Sequence, residues 1–145
     1  MLLANSGGFG LLAKVADMVG RNKAGKAFLT LADGEALLPP AVVAPGHSQV
    51  ACLAQDGRLL VFGLDELKLQ SKGGKGLTLI DLDAQTPLVA CVSCGDALRV
   101  LGTGRGGKPR DEGLKGVALA RHAGKRARKG QRVDGVPKPE RLLPG

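Results

Sequence analysis

The sequence repeats itself, and the period limits what it can fold into. Gly8–Lys26 (GFGLLAKVADMVGRNKAGK) falls on Gly57–Lys75 (GRLLVFGLDELKLQSKGGK) at a constant offset of 49 residues. Gly8 meets Gly57, Leu12 meets Val61, Asp17 meets Glu66, Gly25 meets Gly74 and Lys26 meets Lys75. Upstream, LLANSGG (Leu2–Gly8) falls on ACLAQDG (Ala51–Gly57). A repeat of this length points to an array or ring of one supersecondary unit, which buries its apolar face only against its neighbours. A third copy is read at ACVSCGDALRVLG (Ala90–Gly102) over ACLAQDGRLLVFG (Ala51–Gly63), with a long basic insertion before RKGQRV (Arg128–Val133). The units then span about 1–49, 50–88 and 89–136. The last stretch, PKPERLLPG (137–145), has three prolines and is expected to be a flexible tail rather than a strand.

Each unit reads as strand, tight turn, strand, acidic-apolar elbow, Lys/Gly turn and strand. The strands rest on short apolar runs such as RLLVF (Arg58–Phe62) bounded by Gly, Asp and Ser. The fold class expected is all-β, a propeller-like fragment of about three four-stranded blades.

Composition narrows the partner. There is no Trp and no Tyr, and Phe9, Phe28 and Phe62 are the only Phe residues, so stacking platforms for single-stranded nucleic acid are lacking. The net charge of +8 is concentrated in residues 101–145, which hold twelve Lys/Arg against four Asp/Glu. A polyanionic partner is expected. No apolar run is long enough to span a bilayer, the N-terminus lacks a signal-peptide pattern, and a soluble, reducing compartment is the expectation.

Among the motifs, GRNKAGK (Gly20–Lys26) matches the start of a phosphate-binding loop, but Ala27 stands where a hydroxyl would meet Mg²⁺, and a strand is expected next. The cations of the turns suit phosphate contacts better: Arg21, Lys23 and Lys26 in the first copy, Lys68, Lys72 and Lys75 in the second, and Arg126, Arg128 and Lys129 in the third. Lys125, Arg105 and Lys108 are weaker candidates. Soluble hairpin loops are the plain alternative. CVSC (Cys91–Cys94) has the spacing of a zinc half-site without a second half; since Cys91 aligns with Cys52, buried apolar cysteines are expected and no metal is assigned. His47 reads as a loop residue and His122 as a polar member of a basic run. No catalytic constellation emerges.

The stretches Leu2–Leu31, LLPP (Leu37–Pro40) and Gly57–Gly76 closely resemble the C-terminal domains of the A-type subunits of bacterial type IIA topoisomerases, topoisomerase IV first and gyrase as runner-up. The resemblance implies a β-pinwheel, whose blades exchange strands and whose basic rim binds or bends duplex DNA. It implies a bacterial, cytoplasmic and nucleoid-associated enzyme, assembled with a second A-type and a B-type subunit. That enzyme uses ATP and Mg²⁺ outside this chain to pass strands, relaxing and decatenating DNA. Gln70, Gly73, Gly74, Lys75 and Gly76 match the gyrase box Gln-Arg-Arg-Gly-Gly-Lys-Gly, while Ser71 and Lys72 stand in place of its arginines. That departure favours topoisomerase IV over chiral wrapping by gyrase. Without a tyrosine nucleophile or an ATP site the chain is expected to be no enzyme by itself. The rival is a protein-interaction propeller with a basic tail, which truncation after Val100 is expected to separate from a DNA binder.

Overall fold

A computed structural model describes residues 2–13, 38, 41–67, 77–82, 86–103, 105–133 and 138–144. The elements are β1 (Leu2–Ala4), β2 (Phe9–Leu12), β3 (Gln49–Ala54), β4 (Arg58–Gly63), β5 (Leu77–Thr78), β6 (Leu88–Cys94), β7 (Ala97–Thr103), β8 (Pro109–Lys115), a four-residue helix α1 (Val117–Ala120), β9 (Gln131–Arg132) and β10 (Lys138–Pro144). They form three antiparallel sheets, ordered β1–β2–β5, β6–β3–β4–β9 and β10–β7–β8. No described helix is long and apolar enough to cross a membrane.

The 49-residue period is written in the hydrogen-bond register. Leu3 pairs with Leu11 and Cys52 with Leu60; Ala4 pairs with Gly10 and Leu53 with Leu59. Both hairpins close on a left-handed glycine, Gly8 (φ 87°) and Gly57 (φ 94°), a conformation that side-chain-bearing residues rarely adopt. An acidic or amide side chain organises each turn. Asn5 Oδ1 accepts from the N–H groups of Gly7 (3.0 Å) and Phe9 (3.2 Å), and Asp56 Oδ1 accepts from that of Arg58 (3.2 Å).

After its second strand, each of units two and three lends a short strand to the sheet before it. β5 pairs with β2 (Phe9↔Thr78, Gly10↔Leu77), and β9 pairs with β4 at the equivalent residues (Arg58↔Arg132, Leu59↔Gln131). The next residue follows the same rule: Leu79 N–H donates to Gly8 C=O (2.7 Å) and Val133 N–H to Gly57 C=O (3.1 Å). The chain then returns to its own sheet as an outer strand. β6 does this in the second sheet and β10 in the third. In the first sheet Leu38 and Ala41 take that place, with reciprocal bonds between Leu2 and Ala41 (2.7 and 3.0 Å).

Two expectations are overturned here. The third copy does not begin at Ala90: β6 lies directly against β3, with Cys52 opposite Cys91, and completes the second sheet. Unit three is built from β7, β8 and β10. The two cysteine-bearing runs look alike because they are buried neighbours, not because they are equivalent strands. The supposed tail is likewise a strand, since β10 pairs with β7 from Lys138↔Thr103 to Pro144↔Leu98. Its prolines are tolerated because β10 is an outer strand with a register shift between Pro139 and Arg141, and Pro144 ends it.

Two cores lie on either side of the middle sheet. Val50, Cys52, Leu60 and Phe62 meet Leu2, Ala4, Leu79 and Ile80, while Ala51, Leu53, Leu59 and Val61 meet Leu98, Val100, Leu114 and Leu142. Burial on both faces explains why β3 and β4 read as unbroken apolar runs. In β7 only Leu98 and Val100 turn inward, and Arg99 between them is exposed.

Candidate nucleic-acid interface

The basic stretch of unit three, residues 121–132, is the most completely described of the cationic turns. Leu119 of α1 anchors its start in the core. The chain then runs along β4: Val61 N–H donates to His122 C=O (2.9 Å), and Gly124 N–H donates to Val61 C=O (2.8 Å). It crosses to the neighbouring sheet, where Ala127 N–H donates to Leu79 C=O (2.9 Å) and Asp81 N–H donates to Arg128 C=O (2.9 Å). It returns as β9 on the edge of β4. The segment is therefore tied by main-chain bonds to two sheets, which fixes where its side chains emerge.

Lys125, Arg128 and Lys129 are exposed on this segment. Arg126 is not: it is half-buried and its guanidinium Nη1 donates to Thr78 C=O (2.7 Å). Its backbone N–H donates to both oxygens of the Glu66 carboxylate (3.1 and 3.3 Å). The next residue, Ala127, is among the described residues the non-glycine residue with positive φ (68°). Such a conformation costs roughly 1–2 kcal/mol, and it separates the inward Arg126 from the outward Arg128. Gly130 (φ 77°) turns the chain into β9 where a Cβ would stand 2.5 Å from the Leu59 carbonyl oxygen.

The other predicted cations divide. Arg21, Lys23, Lys26, Lys68, Lys72 and Lys75, with the Gln70–Gly76 box, lie outside the described residues. Lys108 is exposed in the turn between β7 and β8; Arg105 opens a 3-10 turn there. Arg132 was not among the sequence candidates but emerges exposed on β9, opposite Arg58. Like charges directly opposite are unfavourable, and Arg58 is offset by Asp56 (3.4 Å). Arg99 is engaged by Asp111 in a bidentate pair; the hydrogen bond raises the arginine's pKa and lowers the carboxyl's.

The remaining motif residues carry structure. Cys52, Cys91 and Cys94 are buried, with Cys52 and Cys91 Sγ atoms 3.6 Å apart. Burial first, then contact with Cys91, pushes the Cys52 thiol well up, and burial pushes Cys94 up to about 11. Protonated, buried thiols are poor nucleophiles. His47 Nδ1 pairs with Ser93 Oγ (2.7 Å) and holds its loop against β6. His122 is buried rather than lending polarity to the surface.

No protein-family model matches the sequence. Among curated proteins, the DNA topoisomerase 4 A-type subunit of Neisseria gonorrhoeae is 37% identical over 134 residues, covering 88% of this chain and 17% of the relative. Among solved structures, the E. coli ParC C-terminal domain aligns with a TM-score of 0.80 and 27% identity over 98% of this chain and 58% of that one. The chain belongs to the family of topoisomerase IV A-type subunits. It is a β-pinwheel of the kind that forms the C-terminal domain there, and it spans only 17% of the length of the Neisseria relative. A DNA gyrase A C-terminal domain shares the fold at a TM-score of 0.71, with 18% identity over 95% of this chain and 45% of that one.

Proposed function

We propose that this chain is the non-catalytic, duplex-DNA-binding and DNA-bending part of a topoisomerase IV A-type subunit. It presents DNA for ATP-dependent strand passage by an enzyme assembled with a second A-type and a B-type subunit, in the bacterial cytoplasm on the nucleoid. The carrying observation is the segment 121–132: a strip fastened by main-chain bonds to two sheets, with Lys125, Arg128, Lys129 and Arg132 directed outward. Cations fixed at defined spacing suit a phosphate backbone of regular spacing. The chain has no tyrosine, so cleavage by a tyrosine nucleophile belongs to other parts of the longer protein. Among the described residues these cations lie on turns and a two-residue strand and the α-helix has four residues, so the reading predicts no base-specific readout. Preference among duplexes then comes from bending, which costs of order 1–6 kcal/mol for bends of 40–90°.

The test is binding to unrelated duplexes of increasing length across about 50–200 mM salt. Affinity that grows with length and falls by about 10³ or more over that range means six or more phosphate contacts. Weak binding indifferent to salt and length sinks the reading. Truncation after Val100 is not a clean separator, because it removes β8, β9 and β10 and leaves two sheets incomplete.

A further inference from the structure

A run of four cations within five residues, Lys125 to Lys129, invites the view that all four meet phosphate. The geometry points to a different division of labour: Arg126 and Glu66 are positioning residues, which fasten the third unit's basic strip to the second unit at Glu66 and Thr78 and so fix where its cations emerge. This inference rests on the DNA-binding reading above and specifies how that rim is built.

The two partners of Arg126 flank the Lys/Gly stretch of unit two in the sequence. Glu66 stands just before residues 68–76 and Thr78 just after them, and Arg126 binds both, one through its backbone N–H and the other through its guanidinium. The guanidinium Nε is buried as well, so the head group faces the seam and not the solvent. Main-chain bonds on the C-terminal side, Ala127 to Leu79 and Asp81 to Arg128, hold the same seam. A carboxylate accepting a backbone N–H is a charge-assisted bond, stronger than a neutral one. It is also a negative charge beside a cationic strip, which the electrostatics of DNA binding alone would disfavour. Its presence there makes sense if fixing the strip matters more than the repulsion.

Charge and positioning therefore predict opposite signs. Glu66→Ala and Glu66→Gln remove the same charge, but glutamine keeps an acceptor oxygen for the Arg126 N–H. If Glu66 acts by charge alone, both variants bind duplex DNA equally and more tightly than the native chain. If it positions, Glu66→Ala weakens binding about 3- to 10-fold, and Glu66→Gln lies clearly above Glu66→Ala. Arg126→Gln is the companion variant: loss of a phosphate contact lowers the salt slope by about 0.9, whereas loss of the clamp reduces affinity by a similar factor to Glu66→Ala with a smaller change of slope.

The DNA-free readout is amide hydrogen exchange at Ala127 and Asp81. Both variants that break the clamp, Glu66→Ala and Arg126→Gln, should raise exchange there at least about tenfold while leaving amides of β3 unchanged. Faster exchange without any DNA binding by the native chain keeps the clamp and discards the DNA reading. DNA binding with unchanged exchange, or tighter binding by Glu66→Ala, overturns the clamp.

Discussion

Leu142 and Leu143 are adjacent, identical in chemistry and opposite in environment, which makes them a sharp test of β10. Leu142 is 4% exposed, faces Val100 across the strand pair and lies in the core with Leu98 and Leu114; Leu143 is 42% exposed. A fully buried Leu→Ala change costs about 2–5 kcal/mol, because the lost transfer energy is joined by the cavity left behind. Leu142→Ala belongs in that range, at about 3 kcal/mol, since its neighbours are held by strands on either side. Leu143→Ala loses only part of a transfer term of about 1.5–3 kcal/mol and leaves no closed cavity, so about 1 kcal/mol or less is expected. Against a total stability of about 5–15 kcal/mol, the first change is large. For a chain of this size each kcal/mol moves the thermal midpoint by about 2–4 °C, so Leu142→Ala should lower it by roughly 6–12 °C. Urea and thermal unfolding followed by far-ultraviolet circular dichroism suit the measurement, as the chain has neither Trp nor Tyr to report by fluorescence. A one-residue slip in pairing would exchange the two side chains between faces. If Leu143→Ala proves the more damaging, the register is wrong; if neither moves the midpoint, residues 138–144 are the loose end that their prolines suggested.

Gly130→Ala should destabilise by about 2 kcal/mol or more, because the left-handed φ and the Leu59 backbone both resist a Cβ; chemical denaturation measures it, and a neutral result means β9 does not enter the second sheet as described. Arg128→Gln should weaken binding to all duplexes alike and reduce the salt slope by about 0.9, read from titrations at several salt concentrations; a loss confined to one sequence contradicts phosphate contact. The raised thiol pKa of Cys94 means the folded state holds its proton more tightly than the unfolded one. Its contribution to stability is thus intact below the unfolded value and is lost as pH rises from about 9 toward about 11, a fall that Cys94→Ala should reduce in unfolding curves collected across that window. A disulfide-exchange reagent at pH 8 should label the three cysteines fully only after denaturant is added; rapid labelling of the native chain contradicts their burial.

What was legible in the sequence follows from where its constraints are local. Gly8 and Gly57 announce the turns because the left-handed conformation narrows the choice of residue at one position. The 49-residue offset persists because paired residues such as Leu3–Leu11 and Cys52–Leu60 occupy the same places in their sheets. The third unit was misplaced for the opposite reason: β3 and β6 share composition as buried neighbours, and burial alone does not distinguish a neighbour from an equivalent. The cations of residues 125–129 were visible, but not which of them turns inward. That depends on Glu66 and the Thr78 carbonyl, which lie 60 and 48 residues away in the chain.

Strand exchange also decides where a rim cation can sit. The lent strand β9 begins in unit three and ends on the sheet of unit two, so the residues leading into it cross a seam between sheets. The stretch 121–132 crosses such a seam with its backbone bonded on both sides. The backbone positions of its cations consequently follow the sheets rather than a free loop, whose backbone ordering would oppose binding by roughly 1–2 kcal/mol for each residue fixed. The far face of unit three obeys a different requirement. There Arg99 and Asp111 form an exposed ion pair, whereas the second sheet turns Ala51, Leu53, Leu59 and Val61 toward its neighbour. Leu143 stands opposite Arg99 on that face and is 42% exposed, so the face mixes charge with accessible apolar surface. Apolar faces hold the described sheets together, and the seam crossed by residues 121–132 fixes where the cations of that stretch emerge.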